Sequence, residues 1–107
     1  MSPRAALVVA LAIGGCIGSG QDHGYAIATG GSAERGRSVI AVRGCGSCHT
    51  IPNVTGAAGV VGPSLTAFGR RTFIAGELPN TPVNLVRWIA RPHDVEPKTA
   101  MPVLGLD

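Results

Sequence analysis

Apolar residues recur at helical spacing in two stretches of the chain, and the first begins after Ser32. Within it, Gly36, Val39 and Ile40 fall on one face at intervals of three or four residues. Ser32 is of a type that caps helix N-termini, because its hydroxyl can accept a hydrogen bond from a backbone N–H of the first turn. The pattern predicts a helix from Ser32 to about Arg43.

The second stretch predicts the clearer helix. Thr81 is a favourable N-cap, and Pro82 occupies the first helical position, where its missing N–H costs nothing. The apolar stripe consists of Leu85, Trp88 and Ile89. Pro92 cannot continue a helix, so the element is expected to end there.

The remaining stretches carry weaker signals. Glycine and proline make residues 51–62 a loop, and a short helix is expected over residues 64–70, with Leu65 and Phe68 facing inward. Pro97 and Pro102 keep the last stretch extended. No segment alternates apolar and polar residues as a strand would, so the predicted fold class is all-α with long loops.

The N-terminus resembles an export signal, with positive charge at Arg4 followed by the apolar run 5–13. The run is too short to span a bilayer, which needs about 20 residues. Ile13-Gly-Gly-Cys16 resembles a bacterial lipobox, which predicts a signal peptide over 1–15, a lipidated Cys16, a Gly-rich tether over 16–31 and a domain over 32–107. The alternative is ordinary cleavage after Ala28, which would discard Cys16.

The length and net charge of the chain restrict the functions that it can have. A chain of 107 residues holds one small domain, and with four aromatic residues its core stays small unless a large flat cofactor contributes apolar surface. The net charge of +3 is modest and the basic residues form no run, so nucleic-acid binding is not expected.

The chemistry is concentrated in CGSCHT, residues 45–50. Cys45 and Cys48 have the spacing of a redox dithiol or of half a zinc site, but the flanking pattern is helix and Gly-rich loop, and no second cysteine pair follows. Both of these interpretations leave His49 without a role. A covalent haem uses all three residues: each thiol adds to one vinyl group, and the histidine reaches the iron.

Met101 is the candidate for the second axial ligand. It lies in Lys98-Thr-Ala-Met101-Pro102, an extended segment stiffened by proline, and Met1 belongs to the predicted signal. The usual role of a methionine is core packing, which stays open here. His93 is a rival ligand, although it is more simply explained as a surface residue.

These motifs together resemble the class I c-type cytochromes over residues 33–106, and in particular the cytochrome domains attached to bacterial terminal oxidases. The shared features are Gly36, Cys45-Gly-Ser-Cys48-His49, Gly62-Pro63-Ser-Leu65, Asn84-Leu-Val-Arg-Trp88-Ile and Thr99-Ala-Met101-Pro102. The resemblance implies a small cytochrome c-like helical domain wrapped around one covalent haem c.

The resemblance also assigns roles to residues around the haem. It implies that the Pro63 carbonyl accepts a hydrogen bond from the His49 imidazole, and that Trp88 packs at the haem edge, although Trp88 can equally be a core residue. Arg71 or Arg70 would pair with a propionate, and a solvated surface position is the alternative for each.

One feature departs from the family. Its members continue after the methionine loop into a C-terminal helix that crosses the first helix near the residue matching Gly36, whereas this sequence stops at Asp107. Truncation, a partner that supplies the surface, and an incomplete fold are the three explanations. Without that helix, the chain by itself is expected to expose an apolar face around Gly36, Val39 and Ile40.

The predicted function is one-electron transfer in a bacterial respiratory chain, by a carrier that is not an enzyme. It would be exported to the periplasmic side and lipid-anchored to a membrane, with a respiratory complex or a soluble donor as redox partner. If Met101 does not bind the iron, a gas sensor or a peroxidase-type subunit is the alternative. A purely structural haem subunit is another.

Overall fold

The computed structural model of the chain describes residues 29–106. The predicted signal peptide (1–15), the predicted lipidation site at Cys16 and most of the predicted tether (16–31) lie outside the described residues. These three assignments therefore stay predictions.

The first helix, α1, spans Ala33–Val42, as its capping signals predict. Ser32 is its N-cap, and the Ser32 side chain accepts a hydrogen bond from the Arg35 N–H at 3.3 Å. Arg43 ends the helix, with its N–H donating to the Val39 carbonyl at 2.8 Å. None of the α1 residues is buried, and Val39 is 43% exposed. An apolar face of α1 is therefore open to solvent.

The second helix, α2, spans Pro82–Ala90, and its prediction is also confirmed. The Thr81 hydroxyl caps it by accepting a hydrogen bond from the Asn84 N–H at 3.2 Å. A 3-10 turn over Pro92–Asp94 follows directly, and Pro92 is buried. Neither helix, nor any other in the described part of the chain, has the length and apolarity needed to cross a bilayer.

The prediction of an all-α fold is wrong, because the chain contains a two-stranded antiparallel sheet between the helices. Strand β1 spans Phe73–Ile74 and strand β2 spans Leu78–Pro79, and Ile74 pairs with Leu78. The chain reverses at Ala75 and Gly76, which have φ values of 53° and 75°, as a tight hairpin turn requires. With two helices and this hairpin, the fold is a small mixed α/β domain.

The predicted helix over residues 64–70 is also wrong in extent. Only a 3-10 turn over Phe68–Arg70 forms, and it begins after Ala67, whose φ of 53° interrupts any longer helix. The predicted loop over residues 51–62 is present and is closed by a single β-bridge between Thr50 and Ala58.

The buried apolar core of the described residues is small. It consists of Ile51, Ala57 and Ile74. Apolar residues that the sequence pattern placed inward are only half-buried, namely Leu65, Phe68, Leu85, Trp88 and Ile89. The protein chain by itself therefore leaves a substantial apolar surface partly open.

Asn80 connects the hairpin to the turn that precedes it, and its replacement provides a test of this packing. Its side-chain amide donates to the carbonyls of Phe68 at 3.0 Å and Arg71 at 2.9 Å. We expect Asn80→Ala to lower the free energy of unfolding by about 1–3 kcal/mol, because alanine cannot make the two side-chain hydrogen bonds, although the Phe68 carbonyl still accepts one from the Arg71 N–H. Urea unfolding measures this change.

Asn84→Ala is the matched control for this prediction. The Asn84 amide makes one side-chain hydrogen bond, to the Pro79 carbonyl at 2.9 Å. Asn84 lies in α2, where alanine has a higher helix propensity than asparagine. This difference offsets part of the stability that is lost with the hydrogen bond. Because the Asn84 amide also contacts β2, equal destabilisation by the two variants would show that the second hydrogen bond of Asn80 adds no stability.

Candidate functional site

A 3-10 turn, Cys45–Ser47, follows α1, and the two cysteines of the site lie at its start and directly after its end, at Cys48. The Cys45 carbonyl accepts hydrogen bonds from the N–H groups of Cys48, at 3.3 Å, and of His49, at 3.0 Å. Side chains three residues apart in such a turn lie on the same side, so both thiols face one way. Both are free thiols and half-buried.

A glycine-containing loop packs its backbone directly against this turn. The Gly62 N–H donates to the Cys48 carbonyl at 2.7 Å, and the Gly59 N–H donates to the Gly46 carbonyl at 3.0 Å. A Cβ atom on Gly59 would lie 2.5 Å from the carbonyl oxygen of Ser47, which is too close for any other residue. The close approach fixes the cysteine turn against the loop.

His49 is held in one orientation by the same loop. Its Nδ1 atom lies 2.7 Å from the Pro63 carbonyl oxygen. A carbonyl oxygen only accepts, so Nδ1 carries the proton of this hydrogen bond, and in the neutral imidazole Nε2 then keeps its lone pair. The hydrogen bond predicted between these two residues is therefore present, and it leaves Nε2 as a σ-donor ligand.

The chemistry of this cluster is that of two thiols and one oriented imidazole. Within residues 29–106, no three or more His, Cys, Asp or Glu side chains are grouped so that they could hold a metal ion. The described residues therefore do not group the three or four protein ligands that a zinc site needs.

The other predicted iron ligand lies in a separate segment. Met101 is half-buried in extended backbone, and its N–H donates to the Thr99 hydroxyl at 3.2 Å. The rival His93 is exposed on the turn after α2, and Trp88 is half-buried on α2. Among the described residues, no side-chain hydrogen bond joins these three to the cysteine turn or to Pro63.

The predicted propionate partner Arg71 is engaged locally. Its guanidinium donates to the Ser64 carbonyl and lies 5.5 Å from the ring centroid of Phe68. These contacts hold the segment after Pro63 in a closed loop. Arg70 is exposed, and its backbone N–H donates to Ala67.

Sequence reasoning missed two parts of the site. It treated the loop over 51–62 as a connection and gave no role to Gly59, whose lack of a side chain lets the loop contact the cysteine turn. It also gave no role to Arg43, whose Nη1 donates to the Leu104 carbonyl at 3.1 Å. The abundance of glycine in the loop was the available signal for the first of these.

Comparison with known proteins links the chain to respiration. Over 70 residues, which are 65% of the chain, it is 39% identical to cytochrome c oxidase subunit 2 of Alkalihalophilus pseudofirmus. The matched part covers 20% of that protein. No family model and no solved structure matches the chain.

This similarity supports a role in respiratory electron transfer and corrects one prediction. The sequence-based prediction that the protein is not an enzyme is wrong, because the relative is a subunit of an oxidase, which is an enzyme complex. The chain spans about a fifth of that subunit's length. The class of c-type cytochromes, the haem and its ligands stay predictions.

Proposed function

We propose that this chain is an electron-transfer domain that holds one haem c in association with a respiratory oxidase. The thiols of Cys45 and Cys48 would attach the haem, and His49 and Met101 would bind its iron. The observation that carries the proposal is the hydrogen bond from His49 Nδ1 to Pro63, because it orients the imidazole with Nε2 as the ligand atom, in the residue that follows the second free thiol.

The chemistry of the donor set fits a covalent haem. The thiols lie three residues apart on one side of a turn, which is the spacing that two vinyl groups on one haem edge require. The apolar side chains of Leu65, Phe68 and Trp88 are half-buried and have surface to offer a flat apolar ring. A thioether is a neutral, polarisable ligand, which suits an iron centre that changes charge.

Pro63, Gly62 and the two iron ligands have different parts in this proposed function. The Pro63 carbonyl orients the imidazole and raises its basicity, as hydrogen-bonded outer groups do for ligating histidines. Gly62 lets the loop backbone lie against the imidazole ring, since a Cβ atom there would be 2.7 Å from Nδ1. When bound, the haem iron supplies reversible one-electron transfer, and His/Met ligation raises its reduction potential.

The partners and location belong to the same proposal. The relative is a subunit of cytochrome c oxidase, so we propose a respiratory complex as the electron-transfer partner. If the thiols react with haem outside the cytoplasm, the chain must be exported. The apolar run over 5–13 would direct that export. Lipidation at Cys16 would then keep the domain at a membrane surface on the periplasmic side.

The ligation is tested by replacing Met101. We expect Met101→Ala to lose the far-red charge-transfer band of the oxidised protein, because that band comes from a thioether bound to iron. The reduced variant should bind carbon monoxide rapidly, and its reduction potential should fall. Absorption spectra, CO-binding kinetics and a redox titration measure the three effects.

His93→Ala is the matched control, since it removes the rival ligand from an exposed turn. It should keep the band and exclude carbon monoxide as the wild type does. Loss of the band in His93→Ala, or rapid CO binding by the reduced wild type, would contradict the assignment of Met101. The latter result would favour a gas sensor or a peroxidase-type subunit.

A further inference from the structure

Arg43 connects two parts of the chain that are far apart in sequence. Its Nη1 donates to the backbone carbonyl of Leu104 at 3.1 Å, across 61 residues. Within residues 29–106, no other hydrogen bond joins residues 99–106 to a residue before position 90. The contact therefore ties the end of α1 to the segment that follows Met101.

The two ends of this contact differ in exposure, because Arg43 is exposed and Leu104 is half-buried. The Arg43 N–H donates to the Val39 carbonyl, so the residue is fixed at the end of α1, two positions before Cys45. Leu104 is half-buried, and it lies three positions after Met101. The guanidinium thus bridges the chain that leads into the cysteine turn and the chain that leads away from the methionine.

Met101 is also restrained on its other side. The Lys98 N–H donates to the Glu96 carboxylate at 2.8 Å, and the Thr99 N–H donates to the Glu96 carbonyl at 3.0 Å. The Met101 N–H then donates to the Thr99 hydroxyl. This local turn fixes only the chain before Met101, so Arg43 supplies the restraint after it.

We propose that Arg43 is a positioning residue that holds the Met101 segment against the part of the chain carrying His49. This inference rests on the function proposed above, because it concerns Met101 as an iron ligand. A thioether is a weak ligand, so its hold on the iron depends on how firmly the backbone presents it. Loss of the hydrogen bond frees the segment after Met101 and makes the methionine easier to displace.

The test is a titration of the oxidised, folded protein with imidazole, which competes with Met101 for the iron. Loss of the far-red band measures how much of the methionine has been displaced. We expect Arg43→Gln to bind imidazole about fivefold more tightly than the wild type, which is the change expected for one hydrogen bond. Arg37→Gln is the matched control, because Arg37 lies on the same helix, is exposed and makes no side-chain hydrogen bond to any described residue. It should bind imidazole as the wild type does.

A second variant reaches the same contact from the acceptor side. Gly105 follows Leu104 with a φ of 60°, and a Cβ atom there would meet nothing within 4 Å. Gly105→Ala therefore disturbs the backbone at the Leu104 carbonyl without a steric clash. We expect tighter imidazole binding again, and less than additive effects when it is combined with Arg43→Gln.

The outcomes separate this inference from the function on which it rests. If the wild type has the band but Arg43→Gln and Arg37→Gln bind imidazole equally, the role of Arg43 is overturned and the ligation stands. If the wild type has no band, Met101 is not the ligand and both proposals fail. Additive effects of Arg43→Gln and Gly105→Ala would also overturn the bridge.

Discussion

Replacing both Cys45 and Cys48 by alanine should yield a protein that retains no haem after denaturation. Each thiol adds across one vinyl group, so that an S–C bond forms and the thiol hydrogen passes to the neighbouring carbon. No atoms are lost, so the wild-type protein should be heavier than the same processed polypeptide without haem by the mass of one whole haem. Without the thiols, only coordination and apolar contact remain, and both end when the chain unfolds.

Intact mass spectrometry and haem staining of denaturing gels measure this loss in protein exported with a haem-attachment apparatus. Ser47→Ala is the control, because Ser47 lies between the cysteines and its hydroxyl donates to the Gly44 carbonyl at 2.7 Å, while the Cys48 sulfur lies 3.9 Å from the same oxygen. It should keep the full haem mass. Haem that survives denaturation in the double alanine variant, or a wild type of bare polypeptide mass, would refute covalent attachment.

The parts of the fold that the sequence predicted correctly are those with local signals. Ser32 and Thr81 cap their helices through hydrogen bonds within three residues, so their types alone reveal the helix starts. The hairpin was missed because its strands have two residues each, too few for an alternating pattern to be visible. Its turn places Ala75 at positive φ, a conformation that alanine seldom adopts.

The candidate site also has one part that the local sequence reveals and another that it does not. Cys45, Cys48 and His49 are adjacent in sequence, so their combination is visible without a structure. The contact between Arg43 and Leu104 joins residues whose types give no indication of a partner, because the acceptor is a backbone carbonyl. Only the folded chain reveals it.

Gly62→Ala should displace the His49 imidazole. A Cβ atom on Gly62 would lie 2.7 Å from Nδ1 and 2.9 Å from Nε2 of His49, and closer still to Cε1. The imidazole must therefore move, which breaks its hydrogen bond to Pro63. Overpacking and the lost hydrogen bond together should lower the free energy of unfolding by about 2–4 kcal/mol. A displaced ligand should also weaken iron binding about 10–100-fold.

Gly36→Ala separates this steric effect from the general effect of adding a methyl group. Gly36 lies in α1, and a Cβ atom there would meet nothing within 4 Å. Alanine has the higher helix propensity, so this variant should be more stable than the wild type by about 0.5–1 kcal/mol. Urea unfolding of both variants should give changes of opposite sign, and the iron ligation should change only in Gly62→Ala. A stable Gly62→Ala protein with the wild-type spectrum would mean that the loop does not hold His49, because the ring could then give way to a methyl group at no cost.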